Sequence, residues 1–223
     1  EQNLSDPFDN ALTGLELELQ RFEEIAAELD SSPLLRSTDV LQRPYEAGNM
    51  RRELRMLTDS SLVDEAFYHN LRFDSVVGYT SIMSADTFMA NILESDALKS
   101  RYEDFLSSDR QREYFHLTHR EINLLDRSDH IALLQKVPVY YQRSSGVLLT
   151  LMPVAGLEQA LQGGLAGDAA AVLVNPEDEE ALLTAVTGVE GSALLERWSD
   201  YSGRTELLPA HQPVREPRRP SAV

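Results

Sequence analysis

Positions 131–154 read IALLQKVPVYYQRSSGVLLTLMPV, and their hydrophobic pattern predicts two long strands joined at a turn. In the first arm Val137, Val139 and Tyr141 fall on one face and Pro138, Tyr140 and Gln142 on the other, the alternation of a half-buried strand. The polar stretch Arg143, Ser144, Ser145, Gly146 ends in glycine, which takes a positive φ cheaply and suits a hairpin loop. The second arm, 147–152, is apolar everywhere but Thr150, as expected of a strand covered on both faces.

Upstream the pattern is helical. Asp6 can cap a helix that has Pro7 in its first turn, and Leu12, Leu15, Leu19, Phe22, Ala26 and Leu29 then recur at alternating spacings of three and four. Positions 7–30 are thus expected to form a rod of roughly 36 Å with an a/d seam, a core-facing stripe that could also serve a partner helix. A short helix near 34–41 and a third over 46–58, with Met50, Leu54 and Leu57 on one side, come next. Strands are expected at 63–73 and 75–82 across an Asp74 turn. A helix capped by Ser84 and a helix over 96–106 lead to a further strand at 113–118. About five strands without regular βα alternation argue for an α+β layer fold with a mostly antiparallel sheet. Beyond Pro153 a helix (154–162), a strand (169–174), an acidic turn and a returning strand (181–186) suggest the opening of a second, smaller α+β module. From Pro209 the Pro/Arg-rich, aperiodic end reads as a disordered tail. The expected division is 1–160, 161–208 and 209–223.

Composition narrows the function by exclusion. Hydrophobic residues at 42% and charged residues at 26% are those of a soluble globular chain. A formal charge of −17 would repel a phosphate backbone and excludes direct nucleic-acid contact. With no cysteine there is neither disulfide nor thiolate metal site, and no apolar run approaches the ~18 residues of a membrane span. Only Lys99 and Lys136 are lysine among 20 basic residues, which reads as compositional bias. The start at Glu1, without Met or signal peptide, is read as that of a fragment of a longer protein.

Catalytic patterns are missing as well. No HExxH, Gly-rich phosphate loop or GxSxG elbow occurs. His116, His119 and Glu121 offer metal-ligating groups for a metal-dependent hydrolase, but in a strand residues three apart face opposite ways and would not converge. Neither metal nor cofactor is expected, and the chain reads as a non-enzyme.

The order of elements carries a resemblance. The long N-terminal helix, the strand pair AFYHNLRF and SVVGYTSI, the intervening helices, the hairpin KVPVYYQRSSGVLLTLMP, a short helix and AAAVLVNPEDEEALL together resemble the extracytoplasmic Cache-type sensor region of membrane-bound bacterial signalling proteins. The nearest likeness is to ectodomains that precede AraC-type transcription regulators, with sensor histidine kinases a near second. The segment 146–153, a glycine, a hydrophobic run and a polar end, is similar to the arm that closes the sheet of the family's membrane-distal module. The family's amino-acid-binding aromatic/Arg/Asp signature is absent, and a Pro/Arg-rich stretch follows where the family's membrane-proximal module continues for several strands.

The resemblance implies a long helix packed on a Cache/PAS-like sheet and a small-molecule ligand on that sheet, for which Tyr68, Arg72, Tyr79, His116 and Tyr140 are the candidate ligand-binding residues. It also implies a homodimer through the N-terminal helix, membrane attachment through segments outside these residues, and a place on the extracytoplasmic face of a bacterial membrane. The alternative from another class is an assembly module that uses the heptad seam and takes no ligand.

Overall fold

The structure, a computed structural model, describes Gln20, Glu24, Ala27, Ser32 and residues 39–43, 45–58, 62–124, 128–137, 145–162, 169–174 and 181–187. Helix α1 (Ala47–Thr58) leads to strands β1 (Glu65–Asn70), β2 (Ser75–Gly78) and β3 (Ile82–Ser84). Helices α2 (Ala85–Asn91) and α3 (Asp96–Ser107) follow, then β4 (Arg112–Leu117), β5 (His130–Val137), β6 (Gly146–Pro153), α4 (Val154–Gln162), β7 (Ala169–Val174) and β8 (Ala181–Thr187). The first six strands form one antiparallel sheet in the order β3-β2-β1-β6-β5-β4, and β7 and β8 form a second, two-stranded sheet. This is the α+β architecture that the sequence pattern predicts.

Local chemistry accounts for the element ends. Asn70 Oδ1 accepts from the backbone N–H groups of Arg72 and Phe73 at 3.0 and 3.3 Å, and Asp74 turns the chain into β2 with φ 51°, a conformation Asp tolerates better than most residues. The expected 75–82 strand is divided. Gly78 N–H donates to the Ser81 carbonyl at 2.8 Å, and the chain turns back there to make β3, a strand the pattern does not show. Ser84 caps α2 and Ser95 caps α3, their hydroxyls accepting from Thr87 and Leu98 N–H.

Register assigns every side chain to one of two faces. Ala66, Tyr68, Val77, Leu148, Leu133, Ile131 and Met152 face one way, where Met50, Leu54 and Leu57 of α1, Leu157 of α4 and Leu182 and Leu183 of β8 complete a core. Phe67, Val76, Val147, Leu149, Leu151, Ala132, Leu134, Phe115 and Leu117 face the other way, under Phe88 of α2 and Leu98, Tyr102 and Phe105 of α3. With helices on both faces, β5 is buried at all eight positions. β5 is covered on its second face by α3, and the alternation read over 137–142 lies, but for Val137, outside the described residues.

Of the 7–30 helix only Gln20, Glu24 and Ala27 are described. All three are helical and exposed, and Gln20 Nε2 donates to Glu24 Oε1 at 3.0 Å. Its apolar seam, Tyr140 with the rest of 138–144, and everything after 187 lie outside the described residues.

Candidate functional site

The polar groups that the fold buries identify the site. Helix α3 crosses the second face of the sheet with Leu98, Tyr102 and Phe105 pointing inward, at the i, i+4, i+7 spacing of an apolar stripe. It ends at Ser108, whose N–H donates to the Asp104 carbonyl at 2.9 Å, and the link to β4 is pinned by Lys136 N–H donating to the Gln111 carbonyl at 2.9 Å. Three sets of charged or titratable side chains meet under this helix and its link.

Lys136 comes from β5, on the same face as Ala132 and Leu134, and is only 7% exposed. Its ammonium group donates to the Ser108 carbonyl and lies 5.3 Å from the centre of the Phe105 ring. No carboxylate among the described residues pairs with it. Burying an ammonium group is costly unless it is paired and hydrogen-bonded. Here one carbonyl at the negative end of the α3 dipole and one ring face stand in for a counter-ion.

His69 projects from β1 on the same face and in the same row, Lys136 pairing with Val147 and Val147 with His69. Two strand spacings place the two Cα atoms roughly 10 Å apart. His69 Nδ1 is 2.9 Å from the Tyr102 hydroxyl, and the two rings stack at 6.1 Å. Burial pushes the Tyr102 phenol well above its ordinary range, so it keeps its proton. His69 Nε2 makes no hydrogen bond among the described residues and stands 3.6 Å from Asp74 Oδ1. The third set is Glu113 of β4, 4% exposed, with Arg101 Nε at 2.7 Å and a nitrogen of Arg110 at 2.8 Å. Arg101 also lies 4.3 Å over Phe115, and Arg110 6.0 Å from the Phe105 ring centre.

Burial lowers the pKa of His69, an effect that Asp74 opposes. The unfolded chain takes up a proton near pH ~6.5, before folded His69 does. His69 therefore contributes full stability above that pH, and the contribution is lost as pH falls through it towards the lower folded value. Urea unfolding at pH 7.5 and 5.5 should show a smaller pH difference in His69→Gln than in the unaltered chain. An equal difference would show that other groups carry the pH dependence.

The residues read from the sequence are not gathered in one place. Tyr68 is buried on the α1 face of β1, its ring over Gly146. His116 shares that face but is exposed on edge strand β4, with β6 and β5 in between. Arg72 is exposed in the β1–β2 turn, 5.2 Å from the Phe73 ring. Tyr79 is half-buried past β2, with the Arg55 guanidinium 5.9 Å from its ring centre. The hydrolase ligands also point elsewhere. Glu121 Oε2 accepts from the Thr118 N–H and hydroxyl at 2.9 and 2.8 Å, and His119 pairs with Asp129 at 2.9 Å, its N–H groups holding that carboxyl below the usual range. Among the described residues no group of three or more His, Asp or Glu could hold a metal ion. An open depression of about 380 Å³ lies against Asn49, Arg52, Glu53 and Met56, on the outer side of α1 and away from these buried polar groups.

Lys136 was legible only as an oddity, a single charge in the apolar run IALLQKV. Its importance depends on contacts with Phe105 and Ser108, which lie far off in the chain.

No family model matches the sequence, and no curated protein matches it. Solved structures do. The ligand-binding domain of the Campylobacter jejuni chemoreceptor Tlp3, in complex with L-valine, superposes with a TM-score of 0.52 at 11% identity, covering 92% of this chain and 79% of that one. The sensory domain of the same receptor with isoleucine bound gives 0.49 at 12% identity, with the same coverage of each chain. The α+β fold described above is shared with that ligand-binding domain.

Proposed function

We propose that this chain is the extracytoplasmic sensing domain of a bacterial transmembrane signalling protein, non-enzymatic, and that it binds a small molecule between α3 and the sheet. The observation that carries this reading is the buried, carboxylate-free Lys136 beneath a covering helix, in a fold whose solved counterpart holds an amino acid. Such a site combines apolar walls with a few oriented polar groups. The 7–30 helix takes the shift from the sheet towards a membrane segment outside these residues and pairs with its copy in a homodimer. The domain division is 1–160, 161–208 and 209–223, with β7–β8 opening the second unit. For the output, the order of elements favours an AraC-type transcription regulator, whereas the structural counterpart belongs to a chemoreceptor.

Tyr68, Arg72, Tyr79, His116 and Tyr140 form a second ligand reading, mainly on the opposite face. It is supported by the buried Tyr68 ring over Gly146, next to the 138–144 segment.

A melting-temperature screen against amino acids and small organic acids tests the function. A ligand that binds only the folded chain stabilises it by about 2.7 kcal/mol at a hundredfold excess over Kd. For a chain of this size that is a rise of roughly 5–11 °C. Loss of the response in Tyr140→Ala alone would favour the second set of residues. A flat screen, with concentration-dependent dimers that Leu19→Glu dissociates, would contradict ligand sensing and leave an assembly module.

A further inference from the structure

We propose that Lys136 is the ligand's anchor and that the ligand is a carboxylate: a small, partly apolar acid whose carboxylate replaces the Ser108 carbonyl on the lysine ammonium group. This rests on the sensor reading above and narrows it to one class of ligand.

An ammonium group has three N–H donors, and among the described residues the one acceptor for Lys136 is the Ser108 carbonyl. A lysine that served only to cap α3 could do so from the surface, with its head in water. This one rises from an inner strand between β4 and β6 and is more than nine-tenths buried. Arg110 reaches the same Phe105 ring, and the buried carboxylate of Glu113 is already paired with Arg101 and Arg110. Lys136 is thus a buried cation without a carboxylate partner among the described residues, in a chain of formal charge −17. The nearest acids along the chain, Asp104 and Asp109, are exposed.

The walls select the rest of the ligand. Val147 lies beside Lys136 in register, Leu134 lies next on the same face of β5, and Phe105 covers them. A phosphate calls for several strong donors arranged around it. One ammonium group with apolar neighbours suits a carboxylate on an aliphatic body. At the far end of the row stands His69, whose Nε2 faces the exposed Asp74 carboxylate at 3.6 Å. The anchor also supplies a switch. A carboxylate that takes the place of the Ser108 carbonyl frees the C-terminal end of α3, so the liganded and unliganded states differ in how α3 sits on the sheet. That difference in contacts is what lets a ligand shift a conformational equilibrium.

The test uses the unaltered chain. With only two lysines in the sequence, 13C-lysine labelling gives two side-chain Cε signals, and Lys99→Arg assigns them. Lys99 lies 3.5 Å from Asp96 on α3 and is the internal control. Acetate, isobutyrate and hexanoate are titrated against their primary amides at constant ionic strength. The expected result is a saturable shift of the Lys136 signal with at least one acid, no shift with its amide, and an unmoved Lys99. Equal movement of both lysines, equal response to acid and amide, or no response to any acid overturns the anchor. If a compound from the melting screen stabilises the chain but leaves Lys136 unmoved, the carboxylate anchor fails and the sensor reading stands. If the screen is flat and the acids are silent, both fail.

Discussion

Replacing Phe105 with Ala should destabilise the fold by about 3–5 kcal/mol, the cost of emptying a large aromatic site in a core that relaxes only partly. For a chain of this size the melting temperature should fall by roughly 6–20 °C. Phe105 is fully buried and fixes the C-terminal half of α3 to the sheet. Its ring is also the face against which Lys136 and Arg110 rest, so the substitution takes away a partial compensation for buried charge as well as apolar contact. Its neighbour Leu106, only partly buried, is the control and should cost much less on change to Ala. Equal effects at the two positions, by thermal melting, would mean that α3 is not held by this side of its surface.

The second large effect is expected on the opposite face. Gly146 opens β6 opposite Asn70, and a methyl group there would stand 2.5 Å from the Tyr68 ring and 2.6 Å from the His69 carbonyl oxygen. The ring could turn aside, but the carbonyl belongs to β1, the strand paired with β6, and cannot retreat without breaking the ladder. Overpacking of this kind costs about 1–3 kcal/mol, and the backbone clash puts Gly146→Ala near the upper end. The expected fall is roughly 6–12 °C. Tyr68→Phe with Gly146→Ala should recover little, since the His69 carbonyl remains in the way. Full recovery in the double variant would locate the clash at the phenol oxygen alone.

How far the sequence foretells these contacts depends on the range of the interactions. Elements set by local pattern and capping were legible: α2 and α3 start after Ser84 and Ser95, α4 spans 154–162, and β4, β7 and β8 lie within a residue or so of where alternation places them. At β5 the polar Gln135 and Lys136 are buried with the rest of the strand, because α1 and α3 cover both sides, and no local pattern announces that cover. β3 escapes because three residues after a Gly78 turn carry too little pattern to detect. The buried polar groups were harder still. His69 meets Tyr102 across 33 positions, and Lys136 meets Ser108 across 28, so composition and spacing carry no trace of either contact. Tyr68 and His116 were correctly placed on strands, but their distance from each other follows from the strand order, which period alone does not set.

The central claim, that a small molecule binds between α3 and the sheet, is tested most directly by backbone hydrogen exchange with and without a stabilising ligand. The account predicts that protection changes in α3, in the link 108–111 and around Lys136, with the α1 face little affected. Changes confined to α1 and the neighbourhood of Tyr68, with α3 exchanging as before, would contradict it.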